Sequence, residues 1–117
     1  MKYKILTILG TRPEIIRLSC IIRSLDENFN HKIVNTNQNF SSVLNKNFFK
    51  DLKITKPVYS MKNEKKNSPI AFIAKSLVFV DEILEKEKPD AVIILGDTNS
   101  SLTSFFAKRK KIPIFHL

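Results

Sequence analysis

The chain carries two glycines in 117 residues, and both punctuate the same pattern. Each follows an Ile-Leu pair that closes an apolar run: Ile8-Leu9-Gly10-Thr11-Arg12-Pro13-Glu14, and Ile94-Leu95-Gly96-Asp97-Thr98-Asn99-Ser100. Each then leads through a short polar cluster into a helical pattern. A buried strand hands over to a helix in this way at the carboxyl edge of a parallel sheet, and in open α/β sheets ligands bind outside that edge. The two glycines therefore mark one candidate site, built from Arg12, Glu14 and Asp97.

The rest of the chain alternates accordingly. Lys4 to Leu9 reads as a buried strand, and Pro13 fits the first turn of a helix whose apolar positions are Ile15, Ile16, Leu18, Ile21, Ile22 and Leu25. Asp26 to Asn30 reads as a loop, Lys32 to Asn35 as a second strand and Thr36-Asn37-Gln38-Asn39 as a polar turn. Phe40 to Leu52 is helical, with Val43, Leu44, Phe48 and Leu52 on one side. Lys56 to Met61 holds a short strand that Pro57 weakens. Asn63 to Ser68 is a polar, flexible loop. The longest helix runs from Pro69 to about Lys86, with Ile70, Ile73, Ala74, Leu77, Val80 and Leu84 as its stripe, and Pro89-Asp90 ends it. Ala91 to Leu95 is a central strand. Asn99 to Arg109 is a helix with Leu102, Phe105 and Phe106 in the core, and Ile112 to Phe115 opens a last strand. The pattern predicts an α/β fold: a Rossmann-like parallel sheet with helices on both faces. Right-handed crossovers give the strand order 3-2-1-4-5, which sets the two glycine-ended strands side by side where the order reverses.

Composition narrows the functional classes. No apolar run is long enough to cross a bilayer. The N-terminal apolar stretch is too short for a signal peptide and lacks a cleavage site. Cys20 is the single cysteine, so no internal disulfide forms, which fits a reducing cytoplasm. The formal charge of +9 favours anionic partners, or it reflects a lysine-rich solvated face. The densest basic run, Lys108-Arg109-Lys110-Lys111, falls at the edge opposite the glycine loops and reads as surface. No nucleic-acid-binding motif is present.

Neither the G-x-G-x-x-G fingerprint nor the P-loop occurs, which argues against a nicotinamide or ATP cradle. A helix N-terminus beside Arg12, with Arg17 a turn further on, is nonetheless a good anion site through free N–H groups, helix dipole and charge-assisted hydrogen bonds. The alternative is a turn in which Thr11 caps the helix and Arg12 lies in water. Asp97 is either an N-cap or a carboxylate able to move a proton or hold a sugar hydroxyl, and one residue can be both. His116 lies on the same edge, as a structural residue or as a site residue. His31 stands at the opposite edge and takes no part. Gln38 and Asn39 end the second strand on the productive edge, where polar turn residues explain them equally well.

Taken together, Gly10-Thr11-Arg12-Pro13-Glu14-Ile15-Ile16-Arg17, Thr36-Asn37-Gln38-Asn39, Pro89-Asp90-Ala91-Val92-Ile93-Ile94-Leu95-Gly96-Asp97-Thr98 and Ile112-Pro113-Ile114-Phe115-His116 resemble the non-hydrolysing UDP-N-acetylglucosamine 2-epimerases. The resemblance implies the two-domain GT-B architecture. Residues 1–117 would be most of the N-terminal domain, with the C-terminal domain absent and the piece alone inactive. It implies a UDP-sugar substrate, and chemistry in which UDP is eliminated to leave a glycal and added back after protonation on the other face. It implies Asp97 as a catalytic or sugar-positioning carboxylate. Arg12, Arg17, Thr98 and His116 would be substrate-binding, and Gly10, Glu14 and Gly96 loop supports. That chemistry requires no metal and no NAD cofactor. The resemblance further implies a cytoplasmic, homodimeric parent that binds neither nucleic acid nor membrane. Many members have Thr-Gly-Gln-His where this chain has Thr36-Asn37-Gln38-Asn39, in a region tied to allosteric substrate contact. The Gln-Asn form, with Arg17-Leu18-Ser19 and Asp97-Thr98-Asn99-Ser100, is similar to a capsule and O-antigen branch. That branch includes 2-epimerases of 6-deoxy sugars leading to UDP-N-acetyl-L-fucosamine.

Overall fold

Strands β1 (Lys4–Leu9), β2 (Asn30–Asn35), β3 (Tyr59–Ser60), β4 (Ala91–Ile94) and β5 (Ile114–His116) pair in parallel to form one sheet in the order β3-β2-β1-β4-β5. The computed structural model describes residues 3–10, 12–36, 50, 52–54, 57–61, 68–94 and 111–117, with the backbone alone at 12–14 and 116. The predicted strand order is the observed one. The helix predicted over 99–109 lies outside the described residues. So do most of that over 40–52, the loop 63–67, Leu95, and three of the four residues of the basic run.

Helices flank the sheet on both faces. Alternation along the strands sends Leu6 and Ile8 of β1, Val34 of β2, and Val92 and Ile94 of β4 to one side. There they pack with Val80, Ile83 and Leu84 of α2 (Pro69–Glu87). Leu9 and Ile33 point to the other side, against Ile15, Leu18 and Ile22 of α1 (Arg12–Asn28). Ile5, Ala91 and Ile93 pack there with Leu25. Burial on both faces is what parallel strands require, and it explains why these segments read as continuous apolar runs.

Several boundaries and faces differ from the sequence reading. α1 runs on to Asn28, so the expected loop from Asp26 shrinks, and β2 begins at Asn30. Ile16 and Ile21 are 50% and 39% exposed; a helix turning 100° per residue cannot bury all six of the apolar positions assigned to it. In α2 the assigned stripe is rotated. Ile70 and Ala74 are exposed and Ile73 and Leu77 half-buried, while Phe72, Ser76, Val80, Ile83, Leu84 and Glu87 face inward. Two polar residues on that face hid it: Ser76 is satisfied by donating to the Phe72 carbonyl at 2.8 Å, and Glu87 by the contacts described below. β3 is reduced to two residues. β5 starts at Ile114 because Pro113 has no N–H to give; its carbonyl accepts from Val92 N–H at 2.9 Å.

With few glycines, the chain turns on lysines. Lys53, Lys88 and Lys111 adopt left-handed backbone conformations, with φ of 56°, 47° and 61°. Lys88 closes α2 through its N–H to the Leu84 carbonyl, where glycine is the usual choice. The start of α2 follows the common rule: Ser68 caps it by accepting from Ala71 N–H at 3.1 Å, and Pro69 opens the first turn.

Candidate functional site

The carboxyl ends of the strands share one rim. Leu9 is paired with Asn35, and Ile8 with Ile94, which is paired in turn with His116. Two hydrogen bonds carry the pairing past the strand ends: Thr36 N–H donates to the Leu9 carbonyl at 2.8 Å, and Leu117 N–H to the Ile94 carbonyl at 2.9 Å. Thr36 is fully buried, and its hydroxyl also donates to the Leu9 carbonyl, at 3.3 Å. Gly10 is buried at this rim without adopting a positive φ, so its value lies in its small size rather than its backbone freedom.

Directly after Gly10 the chain enters α1, whose first turn contains Arg12 and Glu14. The leading N–H groups of a helix have no partner within it and carry the positive end of its dipole. α1 therefore presents them at the rim, beside the exit of β4. Arg17, on the same helix, is exposed to solvent. The backbone of His116 arrives on the far side of β4. Of the residues expected from sequence, the structure brings Gly10, the first turn of α1 and His116 to one rim. Gly96, Asp97 and Thr98 lie outside the described residues, as does Thr11, and the side chains of Arg12, Glu14 and His116 are likewise not described. A rim of this kind can hold an anion at the helix end and orient a ligand across two neighbouring strands. Among the described residues no cluster of three or more His, Cys, Asp or Glu could hold a metal ion, and no helix is long and apolar enough to cross a membrane.

The polar chemistry that sequence reasoning missed lies at the opposite, amino edge. On the α1 face, the His31 side chain is wholly buried; its Nδ1 is 2.6 Å from Asp26 Oδ1, in the last turn of α1, and its Nε2 is 2.6 Å from Thr7 Oγ1 in β1. The expectation that His31 takes no part overlooked this chain. Its signal was Thr7, a polar residue inside an unbroken apolar strand, which had to find a partner. On the α2 face, Glu87 accepts from Lys32 Nζ at 2.9 Å, from Lys4 Nζ at 3.3 Å and from the Tyr59 hydroxyl. Those hydrogen bonds, that from Tyr59 foremost, hold the Glu87 carboxyl at a pKa of about 2 against the opposing effect of burial. The same contact raises that of Tyr59. A hollow of about 190 Å³ beside Leu84, Lys88, Pro89 and Ile112 also lies at this edge, away from the rim.

The family model described as UDP-N-acetylglucosamine 2-epimerase matches residues 23–117. The chain belongs to the UDP-N-acetylglucosamine 2-epimerase family. Among its relatives, the UDP-N-acetylglucosamine 2-epimerase of Methanocaldococcus jannaschii is 40% identical over 116 residues, covering 97% of this chain and 31% of its own length. The structure of UDP-N-acetylglucosamine 2-epimerase from Rickettsia bellii is 48% identical and superposes with a TM-score of 0.85, over 99% of this chain and 31% of that one. The Methanocaldococcus jannaschii UDP-GlcNAc 2-epimerase, solved in complex with UDP-GlcNAc and UDP, gives a TM-score of 0.86 at 40% identity, over 97% of this chain and 32% of that one. The chain thus spans about a third of the length of the epimerases it matches. The sheet described above matches about a third of the GT-B-type fold of these epimerases.

Proposed function

We propose that these 117 residues form the N-terminal, Rossmann-like part of a two-domain GT-B epimerase that interconverts UDP-N-acetylglucosamine and UDP-N-acetylmannosamine. The observation that carries this reading is the likeness, over nearly the whole chain, to an epimerase solved with UDP-GlcNAc and UDP. The shared rim supports it, because β1, which leads into α1 and its Arg12, runs side by side with β4, whose last residue Ile94 precedes Asp97 by three positions in the sequence.

The C2 proton of the sugar has no neighbouring carbonyl to acidify it. Elimination solves this. A base takes the C2 proton, the C1–O bond breaks with its electrons going to UDP, and a glycal remains. UDP then adds back at C1 as C2 is protonated on the other face. Such a route needs a proton-transfer group at C2 and positive charge at the departing diphosphate. In this reading the first turn of α1, with Arg12 and Arg17, holds the diphosphate. Asp97 moves the proton or positions the sugar, Thr98 and His116 contact the sugar nucleotide, and Gly10, Glu14 and Gly96 shape the loops. The 117 residues alone, about a third of the length of the epimerases they match, do not turn over substrate. The parent is a homodimer in a reducing cytoplasm, in keeping with the free, exposed Cys20. Its product supplies an activated sugar for surface polysaccharide.

The test is solvent exchange. Incubated with UDP-N-acetylglucosamine in heavy water, the full-length enzyme forms the manno epimer and places deuterium at C2 of both epimers. Free N-acetylhexosamine plus UDP, or an epimer without C2 deuterium, would refute the proposal.

A further inference from the structure

The contacts that seat α1 on the sheet are of two kinds. Ile15, Leu18, Ile22 and Leu25 press on Leu9, Ile33, Ile5, Ala91 and Ile93. Apolar contact of this sort holds the helix down but is not directional. The Asp26–His31–Thr7 chain is different. It consists of two hydrogen bonds of 2.6 Å each, through an imidazole of 0% side-chain exposure, from the last turn of α1 across β2 to the middle of β1. Hydrogen bonds are narrow in distance and angle, and buried partners left unmade are costly. The three groups also define each other's roles. With Nδ1–H donating to the Asp26 carboxylate, Nε2 is left to accept from the Thr7 hydroxyl.

We infer that Asp26, His31 and Thr7 form a positioning latch that fixes the register of α1 along its own axis, and so sets where its first turn meets the diphosphate of the substrate. This rests on the function proposed above. A helix is stiff along its axis. A slip at Asp26 therefore reaches Arg12, 14 residues away or about 21 Å at 1.5 Å per residue, undiminished. Geometry at the rim is sensitive to small shifts: a misplacement of about 1 Å can cost about a hundredfold in rate. None of the three residues touches the rim; they act through α1.

The experiment uses the full-length epimerase, with UDP affinity read by calorimetry well below the melting temperature. Thr7→Val keeps the shape of the side chain and removes its hydroxyl; it weakens UDP binding by up to about tenfold, on the scale of one net hydrogen bond at the rim. Thr7→Ser restores the hydroxyl and returns affinity to within about twofold of the parent. Asp26→Asn keeps an acceptor but loses the charge, giving an intermediate loss of about threefold, and it stands in where Thr7→Val does not fold. In nitrogen NMR of the parent, His31 carries its proton on Nδ1. A folded Thr7→Val enzyme that binds UDP as tightly as the parent overturns the inference, as does failure of serine to rescue or a proton on Nε2 alone. A parent that binds UDP but forms no epimer refutes the functional reading instead.

Discussion

Glu87 keeps a negative charge indoors because three donors meet it there. Lys4, Lys32 and Tyr59 come from three different strands, and the carboxylate sits at the last residue of α2, so one side chain ties the helix end to β1, β2 and β3. Its pKa lies near 2 in the folded chain against an ordinary 4.5. A carboxyl depressed in this way contributes stability that is fully present above its unfolded value and is lost as pH falls from about 4.5 through about 2. Both lysine side chains are 30% exposed, so solvent screening trims the effect to no more than about 2 kcal/mol. Glu87→Gln is expected to lower stability by up to that amount at pH 7 and to narrow the gap from the parent at pH 3, measured by urea unfolding at both values. A gap of the same size at both would show that the charge is irrelevant.

At the scale of elements, the helices differ in how they are held. α2 is closed at both ends by its own residues, Ser68 at the start and Lys88 at the end, and is then anchored through Glu87. Ser68→Ala removes the acceptor for Ala71 N–H and is expected to cost about 1 kcal/mol, read by denaturant unfolding, with Ser68→Asp recovering most of it. The strands and their order were legible in the sequence because parallel strands buried on both faces write themselves as apolar runs, and crossover handedness does the rest. Helix faces were less legible. The stripe chosen for α2 used Ile70 and Ala74, whereas the buried face uses Ser76 and Glu87, whose polarity disguises burial until their partners are known. At the candidate site, Gly10 and the start of α1 followed from local pattern. At the opposite edge Asp26 lies only five residues from His31, but Thr7 is 24 residues from His31 and the partners of Glu87 are 28 to 83 residues away, which no local window can pair.

For the whole molecule, the sheet separates two kinds of chemistry. Proton transfer and anion binding are assigned to the carboxyl rim, while the polar anchors of both helices lie at the amino edge. If Asp97 serves the C2 proton and the diphosphate is held mainly by α1 and the arginines, the two functions separate on mutation. In the full-length enzyme Asp97→Asn is expected to reduce C2 deuterium exchange by at least about 10³-fold while UDP affinity stays within about threefold, in the range of losing general acid–base catalysis. Equal loss of both would instead make Asp97 a binding residue.

The two-sided burial of the strands has an evolutionary consequence. Leu6, Ile8, Val34, Val92 and Ile94 face one helix layer and Ile5, Leu9, Ile33 and Ile93 the other, so most of β1, all of β4 and the carboxyl half of β2 are committed to packing. Sequence change that spares the fold therefore falls most readily outside β1, β4 and the carboxyl half of β2, because every buried strand residue has a partner on one helix layer or the other.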